Sequence, residues 1–271
     1  MPILEQKSAK TDSPSVLFDP GSREMSDAIE LAMRLDQIEI RYQPQYAGAD
    51  GRLIGAEALA RWLHPVYGTI GAREMFAAAA AAGLGLELAR HATARAIAAA
   101  SPWPEQLGLS LNVAPRQLLQ PEFVSTLAGQ LDKAGIAAAQ VTVEITEELL
   151  LDDLDLAARR LAALRQLGVK VALDDFGAGF CNFEYLKRLP LDALKLDRSM
   201  VQGIAESERD LAVLRAIVAL AQALGLAIIA EGVETDSQRQ IVVAEGCAAW
   251  QGFLGSEPLA RASLAQLMAT D

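Results

Sequence analysis

The sequence predicts an α/β protein folded as a (β/α)8 TIM-like barrel with an antiparallel first strand, and three features carry that expectation. Beyond the first two strands, apolar strand-like runs alternate with amphipathic helical segments at the spacing of βα units. Hydrophobic residues make up 52% of the 271 positions and aromatics only 5%, the aliphatic composition of a mainly parallel sheet covered on both faces. Six of the apolar runs also end in a polar residue, and barrels of this length gather such strand ends on one face. An open doubly wound sheet is the other arrangement the alternation allows, but neither GxGxxG nor GxxxxGKS or GxxxxGKT occurs to favour a nucleotide-binding version of it.

Residues 1 to about 23 are polar and aperiodic, which predicts a flexible lead-in or the remnant of a linker, with the domain proper running from 24 to 271. The spacing of Ile29, Met33 and Leu35 predicts a short helix over residues 26–35, with Ser26 as its N-cap. In IEIRYQPQYAGADGRLIGAEALARW two strand-like runs flank Ala49-Asp50-Gly51, and Asp-Gly between such runs is a hairpin signal. The Ala-rich stretch 74–100 reads as two helices parted near residues 83–85, ahead of a strand over 107–113. Further strands are expected over 140–146, 169–175, 191–197, 226–232 and 247–252, with amphipathic helices between them such as 155–167 and 208–224. With the hairpin this makes eight strands.

Charge and composition exclude several classes of function. A net charge of −11 argues against a general nucleic-acid binder, so a phosphate-bearing substrate would need metal ions or a local cluster of cations. Cys181 and Cys247 are too few and too far apart for a disulfide framework or a CxxC site. His64 and His91 are the only histidines, which rules out a His-rich metal centre and argues against a Ser-His-Asp apparatus. Met1 to Lys10 has no signal-peptide core and no run approaches the about 18 apolar residues of a membrane span, so a cytoplasmic protein is expected.

The polar strand ends are Asn112, Glu144, Asp174 with Asp175, Lys195, Glu231 and Gln251, and Glu57 of the hairpin can point into the same barrel mouth. Any one of these acids alone reads as a helix cap or a solvated loop residue. Crowded together they repel unless something neutralises them, and a divalent cation does so most simply. Oxygen ligands without nearby His or Cys select a hard ion such as Mg²⁺ or Mn²⁺. The adjacent Asp174 and Asp175 would let one carboxylate bridge two metals while the other binds the second, an arrangement suited to in-line attack on phosphorus. Lys195 is either a counter-ion for the acids or a group that orients or deprotonates the attacking water. Arg61, four residues beyond Glu57 and on the same strand face, is either a structural ion-pair partner or a phosphate fork.

These residues resemble the EAL-domain phosphodiesterases over nearly everything from Ile38 to Leu267. Glu57-Ala58-Leu59 stands at the signature, followed by Arg61. YQPQ (42–45), LNVAPRQL (111–118), VEITE (143–147), DDFGAG (174–179), YLKRLP (185–190), KLDRSMV (195–201), AEGVET (230–235) and QGF (251–253) follow in order. The resemblance implies one metal on Glu57, Asn112, Glu144 and Asp174 and a second on Asp174, Asp175 and Glu231, both Mg²⁺ or Mn²⁺. It further implies that Lys195 handles the catalytic water and that Glu147 fixes the loop after Asp175. Gln43, Leu59, Arg61, Gln251 and Glu234 would then serve the substrate. The implied reaction is hydrolysis of cyclic di-GMP to linear pGpG by a homodimer.

Two stretches depart from the family pattern. Phe180-Cys181-Asn182 stands where active relatives usually carry Tyr-Ser-Ser, and Gly255 and Glu257 replace what is commonly an aromatic and a basic residue. The first departure raises the alternative of a weak or inactive domain that acts as a cyclic di-GMP receptor. A different barrel metalloenzyme, such as one stabilising an enolate, shares acids at strand ends and a lysine.

Overall fold

The computed structural model describes residues 23–146, 153–179 and 183–270. Nine strands appear among them: β1 (Ile38–Ala47), β2 (Leu53–His64), β3 (Gly68–Ile70), β4 (Gly108–Asn112), β5 (Val141–Thr146), β6 (Lys170–Phe176), β7 (Ala193–Leu196), β8 (Ala227–Ala230) and β9 (Ala249–Trp250). The helices in chain order are α1 (Arg23–Arg34), α2 (Ala72–Ala81), α3 (Gly85–Ala100), α4 (Pro115–Leu118), α5 (Phe123–Ala134), α6 (Leu154–Gln166), α7 (Phe183–Arg188), α8 (Glu208–Ala223), α9 (Asp236–Ala244) and α10 (Arg261–Thr270).

The sheet closes on itself. From β2 the order β4, β5, β6, β7, β8, β9 is parallel throughout, and β1 lies antiparallel between β9 and β2. The expected hairpin accounts for the reversal: Gly51, with φ of 73°, turns the chain as its N–H donates to the Ala47 carbonyl at 3.0 Å. β3 was not expected. It pairs antiparallel with Trp62–His64, so β2 and β3 form a second hairpin beyond the eight-stranded barrel.

Period-2 alternation divides each parallel strand between two environments. On β5, Val141, Val143 and Ile145 face the helices, whereas Glu144 faces the barrel interior between Thr142 and Thr146. On β4, Leu109 and Leu111 pack outward and Ser110 and Asn112 turn inward. The aliphatic core thus lies between the strands and the helices, and the inner layer near the mouth is polar.

The helices cover the outer layer with stripes at helical spacing: Met25, Ile29 and Ala32 of α1, Leu127 and Leu131 of α5, and Ala157, Leu161 and Leu164 of α6 are all buried. Asp153 caps α6 by accepting from Leu156 N at 2.9 Å, and Thr235 with Gln238 forms a capping box at the start of α9. Ser26 does not cap α1. That helix is already formed at Arg23, which places Ser26 inside its first turn. The lead-in before Arg23 lies outside the described residues. Among the described residues no helix is long and apolar enough to cross a membrane.

Candidate active site

Four carboxylates converge on one ammonium group at the C-terminal ends of the parallel strands. Lys195 Nζ lies 2.6 Å from Glu144 Oε2, 2.7 Å from Glu231 Oε1, 2.9 Å from Asp174 Oδ1 and 3.3 Å from Glu57 Oε2. The register explains the meeting: Glu57 pairs with Ser110 across β2 and β4, Asn112 with Glu144 across β4 and β5, and Thr146 with Asp174 across β5 and β6. Lys195 lies between Leu194 and Leu196, which point outward, and is itself wholly buried. Glu231 and Gln251 follow β8 and β9 rather than ending them, since those strands stop at Ala230 and Trp250.

Amides orient the acids. Asn112 Nδ2 donates to Glu57 Oε1 at 2.6 Å, which commits its nitrogen to the acid and leaves its carbonyl oxygen as the atom that could meet a cation. Gln251 Nε2 donates at 2.8 Å both to Glu57 Oε2 and to Glu231 Oε1. Glu57 therefore receives three donors.

Two groups of oxygens have the composition of cation sites. Glu57, Glu144 and Asp174 form one and Asp174, Asp175 and Glu231 the other, with ligand atoms within 4.8 Å of one another in each, so Asp174 belongs to both. Among the described residues Glu144 Oε1 is buried with no hydrogen-bond partner, and Asp174 Oδ1, although close to Lys195, is not aligned for a hydrogen bond with it. Buried oxygens left in that state fit a hard divalent ion. They are the atoms such an ion would satisfy.

Consecutive residues on a strand ordinarily face opposite ways, yet Asp174 and Asp175 both reach this cluster. Between Leu173 and Phe176 the register with β7 shifts, and Asp175 adopts φ of 55°. This bulge turns Asp175 back toward the mouth, and aspartate is among the few residues that tolerate the left-handed region.

The charges are out of balance, and the proton affinities follow. Burial pushes Glu231 up to about 8, and it raises Glu144 well above the carboxylate range despite the nearby ammonium. Burial and then the Asp174 charge also raise Asp175. Glu57 moves the other way: burial opposes its charge, but Lys195, Gln251 and Asn112 together hold it below its ordinary value. Burial acts against the Lys195 charge, and the four carboxylates outweigh it, so the ammonium is held well above its ordinary value. One cation cannot neutralise four buried acids. The cluster accordingly retains protons or takes up further positive charge.

Four of the remaining expected residues line cavities beside this centre. Leu59, Asn112 and Glu144 line a cavity of about 430 Å³ that runs between β2, β4 and the helices α2 and α3, with Phe76, Arg73 and Thr93 in its wall. Gln43, Glu231, Glu234 and Gln251 line a second cavity of about 220 Å³, together with Arg198 and Phe253. Gln43 also donates to the Ser256 carbonyl at 3.1 Å and so ties down the C-terminal loop. Arg61 is half-buried; its Nη1 donates to the Ala60 carbonyl at 2.9 Å, and among the described residues no carboxylate forms an ion pair with it. Glu147 and the Phe180-Cys181-Asn182 departure lie outside the described residues.

Sequence reasoning missed Arg198, whose guanidinium pairs with Glu234 at 2.9 Å on the rim of the second cavity. Its neighbour Gly232 makes room for it: with φ of 64° at Gly232, a Cβ would lie 2.4 Å from Arg198 Cγ. The Gly255 departure has a local reason as well. A Cβ there would lie 2.3 Å from Tyr46 Cε2, and the Tyr46 ring stacks on Trp250 at 4.7 Å, filling space beside the loop.

Comparison with known proteins agrees with the residue pattern. The family model of the EAL domain matches residues 26–258. The cyclic di-GMP phosphodiesterase NbdA of Pseudomonas aeruginosa is 38% identical over 249 residues, which cover 90% of this chain and 32% of that protein. The chain spans about a third of the length of the curated relatives it matches. Among solved structures, the PaMucR phosphodiesterase in complex with c-di-GMP aligns with a TM-score of 0.82 at 31% identity, over 89% of this chain and 99% of that one. A manganese and cyclic di-GMP complex of Klebsiella pneumoniae BlrP1 aligns with a TM-score of 0.74 at 33% identity, over 83% of this chain and 57% of that one. With its motifs in order, its barrel closed and its acids at the strand ends, the chain belongs to the EAL-domain family.

Proposed function

We propose that this domain hydrolyses one phosphodiester bond of cyclic di-GMP to give linear pGpG, using two divalent cations, Mg²⁺ or Mn²⁺. The observation that carries the reading is the pair of acid groups joined through Asp174, with a buried Glu144 oxygen that no group among the described residues satisfies. Glu57, Asn112, Glu144 and Asp174 would hold one cation, and Asp174, Asp175 and Glu231 the other. Such ions lower the pKa of a bound water and neutralise charge on the phosphoryl oxygens.

The protein supplies orientation and proton control. Lys195, held protonated by its carboxylates, orients the nucleophile by donating to it. Water adds its oxygen to phosphorus, the bond to the 3′ oxygen breaks, and that oxygen takes a proton. Two cavities flank the acids, one sharing Asn112 and Glu144 with them and the other Glu231 and Gln251, which suits a ligand with a base on either side of the scissile phosphate. Arg73 lines the first of these spaces and Arg198 the second, and they offset locally a chain of net charge −11. The family resemblance also supports a homodimer, which sedimentation tests.

Chromatography of cyclic di-GMP incubated with the protein and Mn²⁺ is the deciding experiment, and pGpG is the expected product. The Phe180-Cys181-Asn182 departure favours a second reading, a cyclic di-GMP receptor without turnover. Tight binding with no product would establish that reading instead.

A further inference from the structure

The amide of Gln251 turns its nitrogen to the acids, and its oxygen is held from beneath, inside the barrel. Gln45 Nε2 donates to Gln251 Oε1 at 2.9 Å, and the Ser110 hydroxyl donates to Gln45 Oε1 at 3.4 Å. All three side chains are buried. Gln45 lies two residues from Gln43 on β1, so both project into the interior, with Gln45 one layer further from the mouth.

We infer that Gln45 is a positioning residue: by holding the Gln251 amide in register, it makes one nitrogen tie Glu57 of the first acid group to Glu231 of the second. Were the Gln251 amide reversed, its oxygen would face two carboxylate oxygens and its N–H groups would point down the barrel. Gln45 opposes this by presenting a donor where only an oxygen can accept. The distance between the two acid groups then depends on a relay that starts at Ser110, whose members below Gln251 form no hydrogen bond with an acid among the described residues. Partners of this kind commonly matter as much as the ligands they hold.

The inference rests on the reading of the acids as a two-cation site, and its test does not require turnover. Gln45→Met keeps length and approximate volume but removes the donor, whereas Gln45→Ala removes both. Calorimetric titration of Mn²⁺ into the full chain should show affinity for at least one of the two ions weakened by roughly 10- to 100-fold in both variants. Thermal unfolding without metal should separate them, the alanine variant melting lower because of its cavity. If cyclic di-GMP is hydrolysed, the loss in kcat of Gln45→Met should shrink as Mn²⁺ saturates. Should Gln45→Met bind Mn²⁺ as tightly as the wild type while melting cooperatively, the side chain only packs and the inference is wrong. A wild-type protein that binds Mn²⁺ but releases no pGpG refutes the phosphodiesterase reading alone, because the affinity comparison still decides the role of Gln45. A wild-type protein that binds no Mn²⁺ overturns both.

Discussion

Lys195 is surrounded by more negative charge than it can balance, and the consequences of that excess can be measured. Removing the ammonium leaves four buried acids without their cation, so Lys195→Ala should destabilise the metal-free protein by about 3–5 kcal/mol. Mn²⁺ should narrow that deficit in thermal melts. Turnover in the metal-loaded variant should fall by about 10² to 10⁴, the size of a proton-handling group, while cyclic di-GMP still binds. Loss of binding in a folded variant would contradict this role. Glu57→Ala, Asn112→Ala and Asp174→Ala should each bring hydrolysis to background even at saturating metal, and wild-type turnover in any of them would show the ligand assignment to be wrong.

The sign of the pH dependence follows from the raised acids. Glu231 titrates near 4.5 when unfolded and near 8 in the fold, so the folded state holds the extra proton between those values. Metal-free stability should therefore decline as pH rises through that window, with Glu144 and Asp175 acting in the same direction, whereas the lowered Glu57 acts in the opposite sense and only at more acid pH, below its ordinary value. Cations compete with these protons, so the thermal shift produced by Mg²⁺ should grow with pH over the same interval. A shift independent of pH would contradict proton release on binding. The acids themselves were legible because each follows an apolar run. The Gln45 and Arg198 roles were not, since one depends on a partner 206 positions away in the chain and the other on a glycine that lets a side chain approach.

The bulge in β6 shows why local pattern was insufficient. Alternation assigns Asp174 and Asp175 to opposite faces, and only the register shift and the left-handed Asp175 bring both to the mouth. Asp175→Asn keeps a residue suited to that backbone but removes a charge the metal-free fold disfavours, so it should melt no lower than the wild type and lose the second cation. Asp175→Ala should lose the cation and about 1 kcal/mol of stability as well. Equal melting of the two variants would show that the backbone there carries no strain. Boundaries failed for similar reasons. Ser26 is an excellent cap by type, but the apolar stripe of α1 already begins at Met25, and β3 is too short to give any periodicity.

The barrel brings these pieces together by closing β1 antiparallel between β2 and β9, which sets Gln43 and Gln45 of β1 beside Glu57 and Gln251. The closed sheet was legible from the hairpin followed by alternating strands and helices. The two cavities were not, because they arise where helices and loops stand away from the strands. Equilibrium titration of Mn²⁺ against the full chain, counting ions bound, tests most directly whether two acid groups share one aspartate. Two ions should bind the wild type, one should bind Glu231→Gln, and none should bind Asp174→Asn tightly. A wild type that binds no ion, or an Asp174→Asn variant that still binds two, would contradict the shared site on which the proposed chemistry depends.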